Sequence, residues 1–139
     1  MNSFSAQQIL NVREDPRLRE QEWGNLMDPS VREQELIEQK KVGDFFYRFR
    51  NGESGADVYD RCSLFLDTLS REMNTGYFPS DNILIVSHGL FMRLFLMRYF
   101  RWTTEKHQEL KNFRNCEFCI LELNRQTGSY ELKTQLIEK

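Results

Sequence analysis

The sequence predicts an α/β protein of three layers, with helices on both sides of a mainly parallel sheet that closes with an antiparallel hairpin. Three observations carry this expectation. Residues 83–86 (Ile-Leu-Ile-Val) are continuously apolar, run into Ser87-His88-Gly89, and are followed at once by a helical pattern of Leu90, Phe91, Leu94, Phe95 and Met97. A short run apolar on both faces suits a buried strand of a parallel sheet. Val58, Tyr59, Cys62, Phe65, Leu66, Leu69 and Met73 fall on one face of a long helix. Finally, residues 117–123 alternate, turn residues fill 124–128, and Tyr130, Leu132, Thr134 and Leu136 alternate again, as in a hairpin.

The 139 residues suit one compact domain. Hydrophobic residues make up 40% and charged residues 29%, which predicts a soluble globular chain. A net charge of −2 gives no sign of a polyanion-binding surface, so nucleic acid is not indicated. No apolar run reaches transmembrane length, and the first residues have neither the basic start nor the apolar core of a signal peptide. Three cysteines, an odd number, offer no disulfide framework, and a reducing, cytoplasmic setting is expected.

Taken in order, Ile9, Leu10 and Val12 suggest a short strand. A charged loop follows, stopped by Pro16. Trp23 and Gly24 mark a fixed turn, and either Glu20 or Glu22 could point into a site. Asp28-Pro29 is a helix start, with Asp as the cap and Pro in the first helical position. That helix, to about Val42, is charge-rich and exposed, and Gly43 loosens it. In residues 45–50 (Phe-Phe-Tyr-Arg-Phe-Arg) the rings are expected under the helix and the arginines in water.

Ser54-x-x-Asp57 is a capping box with Asp in place of Glu, opening the long helix. On that helix Cys62 belongs to the core, whereas Arg61 is expected to be exposed. The helix after His88 should run to Phe100 or Arg101. Thr103 or Thr104 then caps a short helix carrying His107, expected at the surface. Cys116-x-x-Cys119 is half a zinc motif without a second pair, so no metal is expected.

His88 stands out chemically. It sits where a strand meets a helix N-terminus, and ligands of parallel sheets gather there. Unpaired N–H groups and the positive end of the helix dipole favour an anion, phosphate above all. Gly52-Glu53-Ser54-Gly55-Ala56 lacks the final Gly of a serine-hydrolase elbow, and Ser54 is better explained as a cap.

Several stretches together resemble the histidine phosphatase superfamily, of phosphoglycerate mutase-like fold. Val86-Ser87-His88-Gly89 matches its second histidine motif. Residues 17–24 (Arg-Leu-Arg-Glu-Gln-Glu-Trp-Gly) resemble its Glu-x-x-x-Gly motif, which places the proton donor at Glu20. Gly52-Glu53-Ser54, with Asp57 and Arg61 beyond, resembles its Gly-Glu-Ser segment, and residues 115–123 fit its late antiparallel strand. The phrases Phe-Phe-Tyr-Arg-Phe and Asn-Phe-Arg-Asn-Cys-Glu-Phe look closest to a mutase-like branch found in plants and fungi.

The resemblance implies phosphomonoester hydrolysis or a mutase reaction through a phosphohistidine, with His88 and Glu20 catalytic and Ser87 and Gly89 beside the phosphate. It implies no metal and no organic cofactor. The substrate would be a phosphorylated small molecule or a phosphoprotein, with neither nucleic acid nor membrane as partner.

The family's Arg-His-Gly, whose His is the nucleophile, is missing from this sequence. Only His88 and His107 are present, and neither follows an Arg. The expectation is therefore a single partial domain over residues 1–139, an incomplete fold without its first strand and nucleophile segment. Such a truncated copy would be inactive alone, or would be a binding or regulatory remnant. An open sheet edge could pair two copies into a homodimer.

Overall fold

The computed structural model describes residues 12–78 and 82–139. Of the residues expected to form the first strand, Ile9 and Leu10 lie outside them, and Val12 is exposed and in no strand. Helices dominate: α1 (Pro29–Val42), α2 (Gly55–Asn74), α3 (Gly89–Phe100) and α4 (Thr104–Glu109), followed by β1 (Leu121–Asn124) and β2 (Ser129–Leu132).

The helix starts follow the local chemistry. Asp28 accepts from the Ser30 N–H at 2.9 Å with Pro29 inside the first turn, and this satisfies one of the N–H groups α1 leaves unpaired. Ser54 and Asp57 close a reciprocal capping box at the head of α2. Thr103, rather than Thr104, caps α4. Gly43 ends α1 at φ +94°, a backbone region that costs a side-chain-bearing residue dearly.

The core forms where α2 meets α3. Val58, Cys62, Phe65 and Leu69 face Leu90, Phe91, Leu94 and Met97, with Phe45 packed in from the connection before α2. Phe49 is buried as expected, but Phe46 is exposed. Arg48 and Arg50 keep their side chains mostly in water, as the sequence suggests.

The parallel sheet is where the expectation needs correcting. Among the described residues the one sheet is the antiparallel pair β1–β2, in register Leu121↔Leu132 to Asn124↔Ser129. Residues 83–86 pair with no strand there, and no backbone hydrogen bond reaches them from a described residue. Ile85 packs against the core, while Leu84 is 59% and Val86 79% exposed. The physical reason is that a parallel strand takes its ladder from segments distant in sequence. No described segment supplies one here, so no layered arrangement stands around it among the described residues.

The hairpin is present but shorter than expected. The Glu117 N–H donates to the Arg114 carbonyl, and Cys116 sits at φ +60°, so a turn occupies the residues before β1. The hairpin docks on α3 through the Tyr130 N–H, which donates to the Tyr99 hydroxyl at 2.7 Å.

Two side chains are corrected from surface to interior. Arg61 is 8% exposed and His107 is fully buried. Arg61 lies three residues after Val58 and four before Phe65, on the margin of the apolar stripe, and this position carries it inward. His107 lies under the ring of Phe45, centroid to centroid 6.2 Å.

No helix among the described residues is long and apolar enough to cross a membrane.

Candidate active site

His88 is the N-cap residue of α3, in extended conformation with φ −117°. Its ring makes no capping hydrogen bond to the helix. The first N–H groups of α3, from Gly89, Leu90 and Phe91, have no intrahelical acceptor. Gly89 allows a close approach: a Cβ there would stand 3.1 Å from Asn112 Cβ and Cγ. Ser87 does not open toward the site. Its hydroxyl donates to the Leu18 carbonyl at 2.7 Å and so ties the segment before α3 to the loop that carries Glu20.

Glu20 is the acid that meets His88. Its Oε2 lies 3.8 Å from His88 Nδ1, while its Oε1 accepts from the Gln21 N–H at 2.9 Å. The separation exceeds a direct hydrogen bond. The His88 and Glu20 side chains are 52% and 34% exposed, so water reaches both. Glu22, the other carboxylate the sequence left open, turns back on its own loop and accepts from the Gly24 N–H.

A dense polar network holds this loop. The Arg61 guanidinium donates to the carbonyls of Arg17 (2.6 Å), Arg19 (2.8 Å) and Glu20 (3.1 Å). The same guanidinium grips both carboxylate oxygens of Glu53, at 3.1 and 3.0 Å. Glu53 in turn accepts from Arg19 and from the Glu22 N–H. Burial raises the Glu53 carboxyl, but the hydrogen bonds from Arg61 and the Glu22 N–H outweigh it, and the group lies below its ordinary pKa.

The backbones of the two loops also lock together. The Glu53 N–H donates to the Glu22 carbonyl at 2.8 Å, and the Gln21 amide donates to the Glu53 carbonyl at 2.7 Å. Gly24, at φ +51°, passes so close to the Arg50 carbonyl that any side chain would collide with it. The Glu-x-x-x-Gly and Gly-Glu-Ser phrases are thus two faces of one junction.

A cavity of about 320 Å³ adjoins the junction, lined among others by Gln21, Trp23, Asp44, Leu90, Arg93 and Asn112. Arg93 is buried and donates to Asn112 Oδ1 at 2.7 Å and to the carbonyls of His107 and Leu110. A larger concavity, about 590 Å³, opens on the outer face of α2 around Arg17, Asp67 and Arg71 and includes neither His88 nor Glu20. The smaller one does not include them either, but Gln21 and Leu90 in its lining place it within two residues of each.

The structure therefore brings His88 and Glu20 together, seats Gly89 against Asn112 and commits Ser87 to the backbone. Sequence reasoning missed Arg61 and Glu53 as members of the site's support. The signal for Arg61 was its place at the margin of the apolar stripe; Glu53 carried none beyond its motif.

The family profile of the histidine phosphatase superfamily (branch 1) matches residues 1–135. The chain belongs to this superfamily. Among curated relatives it is similar to phosphoglycerate mutase-like protein AT74H of Arabidopsis thaliana, 42% identical over 132 residues, covering 91% of this chain and 47% of the relative. It is also similar to phosphoglycerate mutase-like protein AT74 of the same plant, 42% identical over 135 residues, covering 94% and 42%. Broad-range acid phosphatase DET1 of Saccharomyces cerevisiae is 38% identical over 127 residues, covering 90% and 38%. This histidine phosphatase homologue thus spans less than half the length of these relatives. No solved structure matches it. Its helical architecture with a small antiparallel sheet is consistent with an incomplete fold of that superfamily.

Proposed function

We propose that this chain is the proton-handling and phosphate-gathering part of a phosphomonoesterase or mutase that works through a phosphohistidine. The observation that supports this most is the Glu20 carboxylate facing the His88 imidazole at 3.8 Å, at the head of a helix whose first N–H groups have no intrahelical acceptor. In this reading His88 and the first turn of α3 receive the phosphoryl oxygens, whose charge grows toward the transition state.

A neutral imidazole from outside these 139 residues attacks phosphorus. The bond from phosphorus to the leaving oxygen breaks, and the protonated Glu20 carboxyl gives that oxygen its proton. Water then attacks the phosphohistidine, Glu20 takes the water proton, and phosphate leaves as the phosphorus–nitrogen bond breaks. His107 cannot be the nucleophile, because it is fully buried beneath Phe45. The substrate is a phosphorylated small molecule or a phosphoprotein whose leaving group reaches the cavity beside Trp23 and Asn112. The chain acts in the cytoplasm.

The test is hydrolysis of p-nitrophenyl phosphate by the 139-residue chain and by any longer product of its transcript in which an in-frame Arg-His-Gly precedes Met1. Negligible turnover is expected from the first. The second should turn over and lose about 100- to 1,000-fold on His88→Ala. Turnover indifferent to that substitution sinks the proposal.

A second reading, a non-enzymatic module, draws on residues 83–86, where Ile83, Leu84 and Val86 are exposed and no described segment pairs with the backbone. Such an edge could add a strand from a second copy. A dimer by sedimentation that Val86→Lys dissociates, without turnover in any longer product, would favour it.

A further inference from the structure

We propose that Arg61 and Glu53 are positioning residues that set the Glu20 carboxylate against His88. This deepens the reading of Glu20 and His88 as an acid/base and phosphate pair, and rests on it. Glu20 sits on a loop without regular structure, in a side chain with three rotatable bonds, and meets His88 at a distance too long for a hydrogen bond to hold it there. Its Oε1 is held by the Gln21 N–H at 2.9 Å, so where the carboxylate stands depends on what fixes the backbone of residues 20 and 21.

The fixing comes from behind the loop. All the hydrogen-bonding edges of the Arg61 guanidinium are engaged: Nε with Glu53, Nη1 with the Arg17 and Arg19 carbonyls, Nη2 with the Glu20 carbonyl and Glu53. Three carbonyls within four residues, the last belonging to Glu20 itself, are held by one planar group. Lysine, with a compact ammonium, cannot reproduce that fork.

The group has its own support. Its carbon lies 5.7 Å from the centroid of the Phe91 ring, on the first turn of the helix that His88 caps. Glu53 locks it from the other side and holds the Glu22 N–H two residues beyond Glu20. Ser87 closes the circuit by donating to Leu18. The acid and the imidazole therefore share one frame, registered through Arg61, and neither needs to touch the other to be placed.

The experiment uses the 139-residue chain with its two histidines labelled at the ring carbon Cε1. At a fixed neutral pH, Glu20→Gln removes the charge facing His88 and moves the His88 ring signal, assigned with His88→Ala. The same Glu20→Gln change is then made in an Arg61→Lys chain, so that a double-mutant cycle isolates the coupling. The shift at His88 is expected to fall at least about twofold in the Arg61→Lys background, with the melting curve and the signals of the α2–α3 core retained. Glu53→Gln, which keeps the shape but removes the charge, should reduce it similarly.

An undiminished shift in folded Arg61→Lys and Glu53→Gln chains overturns the positioning role and leaves the Glu20–His88 pair intact. If Glu20→Gln moves nothing at His88 in the unaltered background, the pair itself fails and the positioning role with it. Unfolding of both variants also overturns it, since the pair would then serve the fold rather than the carboxylate.

Discussion

Two apolar segments flank His88 and behave in opposite ways. After it, α3 buries Leu90, Phe91, Leu94 and Met97 against α2. Before it, residues 83–86 are as hydrophobic, yet Ile83, Leu84 and Val86 stand in water. The difference lies in the backbone. A helix satisfies its own N–H and C=O groups and needs only a neighbour for its side chains, and α2 is that neighbour. A strand needs another backbone alongside as well. The same hydrophobicity therefore folds on one side of His88 and waits on the other.

The sharpest way to test this contrast is to shorten one apolar side chain on each side. Leu94 is fully buried, and Leu94→Ala should cost about 2–5 kcal/mol in urea unfolding. A smaller loss would mean that the α2–α3 contact is looser than its burial indicates.

Acid should act on the folded side as well. His107 is buried next to the Arg93 charge, and burial first, then that charge, lowers its pKa to about 4. The folded value lies below the unfolded one, so the unfolded chain takes up the proton first. Stability from the neutral ring is whole above about pH 6.5 and declines as pH falls toward about 4, by about 3 kcal/mol at most. Unfolding free energies across that window would show the slope, and His107→Leu should flatten it.

Ser54→Ala removes the side-chain half of the capping box at the head of α2 and should cost about 1 kcal/mol by thermal melting. The least effect belongs to the exposed segment. Val86→Ser should change stability by less than about 0.5 kcal/mol at low protein concentration. A cost approaching that of Leu94→Ala, or one that grows with concentration, would break the contrast by revealing a covered surface.

Local chemistry was the legible part of this chain. Asp28-Pro29 and Ser54-x-x-Asp57 announced helix starts because capping needs only neighbours in sequence. The α2 stripe announced the core for the same reason. The strand at 83–86 was misjudged because its pattern records what a strand requires, not whether a partner is there. Arg61 was misplaced because it was judged off the apolar stripe, and His107 because no partner could be named for it: each is buried by the element that carries it, the Arg61 guanidinium with five hydrogen bonds and the His107 ring with none among the described residues. The pairing of Glu20 with His88 was legible only through the family motifs, since 67 residues separate them and no periodicity spans such a gap.

Cys62 gives the molecule a built-in clock. Its thiol lies in the middle of the α2–α3 contact, and burial pushes its pKa up to about 12, whereas Cys116 lies exposed on a turn. A thiol reagent should therefore mark Cys116 at once and reach Cys62 only when the two helices part. With the half-buried Cys119 replaced by Ser, the slow label times the opening of the core and the fast one counts the molecules present.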